Sequence, residues 1–186
     1  MRSFLQMDEW VDILDANAEK TGKSCLKSHA HKKGLLHASV HLWIVNEHQE
    51  ILIQQRATSK ETFPGLWDVS VAGHVASGES PEKAVVRETE EEIGLLIKPR
   101  DLVYIGTVNN KIEHHPSLID HELHHVYYCQ VNIETNSCTL QKTEVAAIRL
   151  VPLEQLRTDI IKNKGDFAPH GKDYYPWVLQ SIKDTF

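Results

Sequence analysis

The sequence has few of the features that mark secreted, membrane or metal-thiolate proteins. Its three cysteines, Cys25, Cys129 and Cys138, form an odd set without C-x-x-C spacing, so neither a disulfide framework nor a thiolate zinc site is indicated. No apolar run approaches the roughly 20 residues that a membrane helix needs. The opening letters MRSFLQMDEW lack the apolar core of a signal peptide. We therefore expect a cytoplasmic protein with no membrane partner.

Positive charge is also scarce. The formal net charge is −6 in 186 residues, so no broad basic surface indicates nucleic acid as a partner. An acidic protein can still bind a polyphosphate when a divalent cation lies between the two. The length and an apolar content of 41% predict a single domain over residues 1–186, with a strand and turn extension over about 1–35.

Strand and helix patterns are interspersed without regular βαβ alternation, which predicts a mixed sheet covered by helices. A polar turn is expected around residues 17–23, and a hairpin where the second and third predicted strands meet. The predicted strands are 10–14, 37–45, 51–56, 69–72, 102–108, 123–133 and 145–151, and the predicted helices are 81–93, 152–162 and 174–183.

The helix predicted over 81–93 has strong end signals, with Ser80 before Pro81 at its start and Gly94 at its end. At 100° per residue, a mostly apolar stripe should face the core, and a group of carboxylates should lie on the opposite side. The stripe consists of Val86, Thr89 and Ile93, and the carboxylate group of Glu88, Glu91 and Glu92.

Three carboxylates at such spacing repel one another unless a cation is bound between them. Mg²⁺ and Mn²⁺ prefer oxygen ligands, so the group is typical of a metal site. The alternative is a solvated acidic face of the helix.

The residues before and within this helix fit one spaced pattern, G-x5-E-x7-R-E-U-x-E-E-x-G-U, where U is a bulky apolar residue. An accidental match of its seven fixed positions is on the order of 10⁻⁸ at a given start. Thr89 departs from the pattern at the first U position. The stretch 73–95 therefore resembles the Nudix box. The matching fixed positions are Gly73, Glu79, Arg87, Glu88, Glu91, Glu92 and Gly94.

The resemblance implies an α/β fold, the Nudix α/β/α sandwich with a mixed sheet between helices. It implies hydrolysis of a nucleoside diphosphate derivative or another small organic diphosphate by water activated by Mg²⁺, or by Mn²⁺ in its place. It also implies a small-molecule partner and a homodimer. The implied metal ligands are Glu88, Glu91, Glu92 and the carbonyl of Gly73, and the implied structural ion pair is Glu79 with Arg87.

Among these residues, Glu91 and Glu88 are the expected catalytic carboxylates. The general base is either a box glutamate or an acidic residue from a later loop, for which Glu144 is the candidate. The alternative is that Glu144 is a solvated glutamate in a turn.

Residues outside the box resemble the Nudix branch that includes isopentenyl-diphosphate isomerase, in the stretches 31–37, 54–56 and 64–74. The resemblance implies a second metal site. However, Ala72 stands where the isomerase has the cysteine that protonates its substrate, and the complete box favours hydrolysis. The isomerase reaction and a non-catalytic binding module remain the alternatives. The second-site positions are His37, His74, Glu122 and, less securely, His31.

Arg56, Trp67 and His74 are candidates for substrate binding, with a surface arginine and a loop-anchoring tryptophan as the ordinary alternatives. The letters HELHH at 121–125 contain H-E-x-x-H, a zinc-protease motif that requires a helix. The letters that follow predict a strand, on which those histidines would lie about 13 Å apart. We therefore reject a protease. Four further histidines are expected either at the substrate entrance or in solvent, namely His114, His115, His124 and His125.

Overall fold

The computed structural model describes residues 8–162 and 167–186, and this part of the chain forms nine strands and four α-helices. The N-terminal expectations on residues 1–7 lie outside the described residues. The strands are β1 (Trp10–Leu14), β2 (Lys20–Leu26), β3 (His37–Val45), β4 (Glu50–Arg56), β5 (Trp67–Asp68), β6 (Val71–His74), β7 (Val103–His115), β8 (Leu118–Gln130) and β9 (Val145–Pro152). The helices are α1 (Lys27–Lys33), α2 (Pro81–Ile93), α3 (Leu153–Ile161) and α4 (Tyr174–Lys183).

Strand β3 is the centre of a mixed sheet. It pairs in parallel with β8 and antiparallel with β4 and β6. Beyond these neighbours, β7 pairs with β8, and β9 pairs with β4, both antiparallel. The β1–β2 hairpin joins the sheet where Ile13 pairs with His37.

The two faces of the sheet carry separate apolar clusters, which confirms the α/β/α architecture. Trp43 and Val45 of β3 pack with side chains from α3 and α4. Leu42 and Ile44, which alternate with them, pack with Val85 and its neighbours from α2. The sheet is therefore covered by helices on both faces.

Several boundaries follow the sequence prediction closely. Helix α2 spans 81–93, Ser80 Oγ accepts a hydrogen bond from the Lys83 N–H, and Gly94 is left-handed with φ 70°. The predicted hairpin is formed by β3 and β4. The stretch 121–125 lies within β8, so the helix that a zinc protease needs is not formed there.

Other expectations were wrong in detail. The turn expected over 17–23 gives way to β2 from residue 20 onward, and α1 was not predicted. Both elements are polar and mostly exposed, so they show no apolar periodicity. The strand expected over 69–72 is instead two short strands, β5 and β6, and β7 and β8 are longer than expected. Among the described residues, no helix is long and apolar enough to cross a membrane.

Candidate active site

A large cavity beside α2 contains most of the predicted site residues. Its volume of about 550 Å³ is in the range of small-molecule sites. Nine carboxylates line it, against three Lys or Arg side chains. A diphosphate would therefore meet net negative charge unless cations were bound with it. The lining includes the predicted residues His31, Arg56, Gly73, His74, Glu88, Glu91, Glu92, Glu122 and Glu144.

Helix α2 presents its carboxylates differently from the sequence-based expectation. We expected all three opposite the core, but Glu88 and Glu92 are only 8% and 4% exposed. Glu91 does reach solvent, with its side chain 52% exposed. The expectation was wrong because α2 turns Val85, and not the half-buried Val86, fully into the core. Two glutamates therefore occupy the inward-facing side of the helix.

Burial changes the protonation of these two glutamates. It raises the pKa of Glu88 to about 7, against the opposing effect of Arg87. Burial, followed by the nearby Glu88 carboxylate, raises the pKa of Glu92 well above its ordinary value. The only neutral donors that hold Glu92 Oε2 in the described part of the chain are Gln54 Nε2 at 3.2 Å and the Ala72 N–H at 3.4 Å. Two adjacent buried carboxylates with so few positively charged partners form a suitable binding site for a hard divalent cation.

Gly73 and Arg87 fix the carboxylates against β6. A Cβ atom at Gly73 would overlap the Glu88 carboxyl group, so only glycine permits this close approach. Arg87 donates to both oxygens of Glu79 at 3.1 and 2.9 Å, to the His74 carbonyl at 2.9 Å and to Glu88 Oε1 at 2.7 Å. The guanidinium thus connects the loop before α2, strand β6 and a box carboxylate.

Glu144 lies at the cavity and is not solvated, in contrast to the alternative considered above. Its side chain is only 10% exposed and forms an ion pair with Lys60 Nζ. Its charge also helps to raise the pKa of Glu92, after burial and Glu88. This position suits a residue that binds a cation or accepts a proton from water.

The two predicted substrate-binding residues outside the box differ in position. Arg56 lines the cavity, where it donates to Asp68 Oδ2 at 3.1 Å and to the Thr62 carbonyl at 2.9 Å. The described residues that line the cavity do not include Trp67. Its ring is covered by Arg149, whose Cζ lies 4.0 Å from the ring centroid. Trp67 is therefore placed as a packing residue of the fold.

The four residues of the expected second metal site lie together, and all of them except His37 line the cavity. Their ligand atoms lie within 4.8 Å of one another. His37 Nδ1 donates to the Leu35 carbonyl at 2.8 Å, which leaves Nε2 as the nitrogen with a lone pair. His74 Nε2 is buried without a hydrogen bond, 3.3 Å from Glu122 Oε1. Burial, with His74 as the second cause, lowers the pKa of His31 to about 3 and that of His37 to about 4. Neutral imidazoles beside a carboxylate fit a divalent metal.

A second group of buried histidines was missed by sequence reasoning. His41, His124 and His170 lie deeper in the same cavity, next to Asp68. Only His124 had been considered, as one of four histidines near the entrance. Of the other three, His114 pairs with Asp120 at 2.8 Å, whereas His115 is exposed and His125 is half-buried. The signal that was available is the alternation of polar residues, His37, Ser39 and His41, in the first half of a buried strand.

The described cavity lining contains no thiol that could serve as an acid. Ala72, which stands in place of the isomerase cysteine, lines the cavity. Cys129 is buried in the apolar cluster under α2, and Cys138 packs against that cluster. Cys25 belongs to β2, away from the cavity lining.

Comparisons with known proteins agree with this site. The NUDIX domain family model matches residues 35–178. An uncharacterised Nudix hydrolase of Clostridium acetobutylicum is 32% identical over 207 aligned residues, which cover 96% of this chain and 99% of that protein. An isopentenyl-diphosphate Delta-isomerase of Serratia proteamaculans is 34% identical, with coverage of 96% and 92%. The crystal structure of DR0079 from Deinococcus radiodurans is similar with a TM-score of 0.70 and 22% identity, over 93% of this chain and 98% of that one. The chain therefore belongs to the Nudix hydrolase family.

Proposed function

We propose that this enzyme hydrolyses the diphosphate bond of a nucleoside diphosphate derivative or another small organic diphosphate, and that it requires Mg²⁺ or Mn²⁺. The observation that carries the proposal is the cavity in which nine carboxylates, including the three box glutamates, face three Lys or Arg side chains. A polyanionic substrate binds there only if cations offset this charge.

The residues that would hold the cations are Glu88, Glu91, Glu92 and the carbonyl of Gly73, with Glu144 beside them. When bound, the cations neutralise charge on the diphosphate and lower the pKa of the attacking water. The chain itself positions the ligands. Arg87 holds Glu88, and Gln54 holds Glu92.

Glu144 is our candidate for the residue that accepts the proton of the attacking water. Its carboxylate lines the cavity together with the box glutamates and forms an ion pair with Lys60. Lys60 also lines the cavity, so its ammonium is placed to meet an oxygen of the substrate. Arg56 is a second cation for substrate binding, held in orientation by Asp68.

The isomerase reaction is the second candidate, and one observation favours it. His31, His37, His74 and Glu122 converge as the isomerase resemblance implies, and an isomerase is among the relatives. Against it, Ala72 has no proton to donate, and the described cavity lining contains no cysteine. Hydrolysis needs no such acid at that position.

The first experiment is product analysis with Mg²⁺ over a panel of nucleoside diphosphates and triphosphates, nucleotide sugars, dinucleotides and isopentenyl diphosphate. Release of phosphate or a monophosphate from one class would support the hydrolase and identify its substrate class. Interconversion of isopentenyl diphosphate without hydrolysis would support the isomerase instead. Ligand binding without turnover, with or without Mg²⁺, would indicate a binding module.

A substitution on α2 tests the assignment of the box glutamates. We expect Glu91→Gln to lower kcat by a factor of about 10² or more, because it removes a charged ligand of the cations. Glu90→Gln is the matched control, since Glu90 is its exposed neighbour and does not line the cavity. Equal turnover by the two variants would refute Glu91 as a ligand.

A further inference from the structure

His41, His124 and His170 come from three separate parts of the fold and meet in its interior. His41 lies on β3, His124 on β8, and His170 in the segment before α4. Their exposed fractions are 3%, 5% and 8%. One ligand atom from each lies within 4.8 Å of those of the other two, and the rings of His41 and His124 stack with centroids 4.1 Å apart.

Each imidazole has one nitrogen engaged by a polar partner. His170 Nε2 donates to Asp68 Oδ1 at 2.6 Å. His124 Nδ1 lies 2.7 Å from Ser39 Oγ, and His41 Nδ1 lies 2.7 Å from the Tyr174 hydroxyl. Trp43 Nε1 donates to the same hydroxyl at 3.2 Å.

The other nitrogens have no such partners. His124 Nε2 is buried without any hydrogen bond, and none of the hydrogen bonds found within residues 8–162 and 167–186 uses His41 Nε2 or His170 Nδ1. In the tautomers that carry their protons on the engaged nitrogens, the three remaining nitrogens have the lone pairs that a metal ion would bind. A buried nitrogen left unpaired costs about 1–3 kcal/mol, and an ion bound at His124 Nε2 would remove this cost.

A carboxylate, a hydroxyl or a carbonyl that orients the far nitrogen is the usual second layer around a histidine metal ligand. Burial, followed by the neighbouring histidines, lowers the pKa of His41 well below its ordinary value. Burial, against the opposing effect of Glu122, also lowers the pKa of His124 to about 4. A metal ion binds an imidazole through a nitrogen that carries no proton.

We propose that His41, His124 and His170 form a three-histidine site for a divalent transition-metal ion such as Zn²⁺. Imidazole nitrogen suits zinc and its neighbours in the first transition row, whereas Mg²⁺ prefers oxygen ligands. Bonds of 2.0–2.1 Å in a tetrahedron separate the nitrogens by roughly 3.3 Å, so the nitrogens would approach one another by at most roughly 1.5 Å on binding.

The proposed site would leave one coordination position for an oxygen ligand. All three histidines line the cavity that also contains the box glutamates, so an ion held by them would face the same bound molecule. The site is distinct from the group of His31, His37, His74 and Glu122. Glu122 lies between the two groups, with Oε1 3.3 Å from His74 Nε2 and Oε2 3.5 Å from His124 Nδ1.

The experiment measures Co²⁺ binding to metal-free protein in excess Mg²⁺, so that the oxygen-rich box site is blocked. The background variant is His74→Gln, which disables the other histidine group. We expect it to bind one equivalent of Co²⁺ with the intense visible absorption of tetrahedral coordination. Adding His170→Gln should weaken this binding at least tenfold and remove the band. His48→Gln is the control, since the His48 side chain is 75% exposed and is not part of the cavity lining.

Circular dichroism checks that each variant is folded. If the His170→Gln protein is not folded, Asp68→Asn replaces it, because loss of the carboxylate that orients His170 should weaken Co²⁺ about 10–100-fold. The proposal is overturned if the His74→Gln protein binds no Co²⁺ in excess Mg²⁺. It is equally overturned if folded His170→Gln or Asp68→Asn binds Co²⁺ as tightly as the background. Because binding is the readout, failure here leaves the proposed hydrolase activity untouched.

Discussion

At the scale of single residues, the protonation of Glu88 sets the pH range in which the box can bind a cation. Burial raises its pKa to about 7, so near neutral pH protons compete with Mg²⁺ for the carboxylate. We expect the rise in Tm caused by a fixed Mg²⁺ concentration to be small at about pH 6 and larger at about pH 8. Thermal unfolding with and without Mg²⁺ at both pH values measures this difference, and an equal rise at both would contradict it.

Gly73 allows a second test at this scale. A Cβ there would overlap the Glu88 carboxyl group, so Gly73→Ala should displace Glu88 and destabilise the fold by about 1–3 kcal/mol. Activity should fall with it, because a ligand has moved. Urea unfolding and steady-state kinetics measure the two effects.

The double variant Gly73→Ala with Glu88→Ala separates steric overlap from other causes. Removing the carboxyl group should recover much of the lost stability without restoring activity. Additive losses of stability in the two single variants would show that the overlap is not the cause.

At the scale of elements, one arginine connects α2 to β6 and to the loop between them. Arg87 contacts Glu79 through two donors, and a lysine cannot reproduce that fork. We expect Arg87→Lys to lower the free energy of unfolding by about 1–3 kcal/mol. A double-mutant cycle with Glu79→Gln, followed by urea unfolding, should give a coupling energy above about 0.5 kcal/mol. A coupling energy near zero would contradict the structural role that we assign to this pair.

The same helix shows what the sequence could and could not reveal. Its ends were predicted because Ser80, Pro81 and Gly94 are local signals that act on the backbone directly. The direction of Glu88 and Glu92 was not predicted, because a periodicity argument assigns apolar residues to the core and carboxylates to solvent. This assignment fails for Glu88 and Glu92 because both line a buried functional cavity.

Elements without apolar periodicity were missed for a related reason. In α1 only Ala30 is buried, and the residues of β2 are exposed apart from Cys25, so neither carries a core-facing stripe. The group of His41, His124 and His170 was missed because its members are far apart in the chain. His41 and His124 meet through the parallel register of β3 with β8, in which Ser39 lies opposite His124, and the segment before α4 adds His170.

At the scale of the whole molecule, one face of the sheet is polar along the first half of β3 and apolar along the second half. Trp43 and Val45 pack under α3 and α4, whereas His37, Ser39 and His41, at alternate positions nearer the start of the strand, meet polar residues of β8. The apolar half stabilises the fold, and the polar half forms the cavity. The protein therefore buries several imidazoles, and this burial lowers their pKa.

This burial makes the metal-free fold sensitive to acid. The folded-state pKa is lowered, with burial as the largest cause, in His31, His37, His41 and His124. In the unfolded chain each titrates near 6.5, so below that pH the unfolded chain binds more protons, and each histidine can remove about 1.4 kcal/mol of stability per pH unit. Glu88, Glu92 and Asp120 act in the opposite direction, because burial raises the pKa of each, so the folded chain binds these protons at a higher pH than the unfolded chain does.

The four histidines outnumber these three carboxyl groups, so the effect of the histidines is the larger one. We therefore expect the free energy of unfolding of the chelator-treated protein to fall between about pH 7 and about pH 5. Urea unfolding at the two pH values measures it. Unchanged or greater stability at about pH 5 would mean that these imidazoles are charged in the fold. A charged imidazole cannot bind a metal, so that result would count against both histidine groups as metal sites.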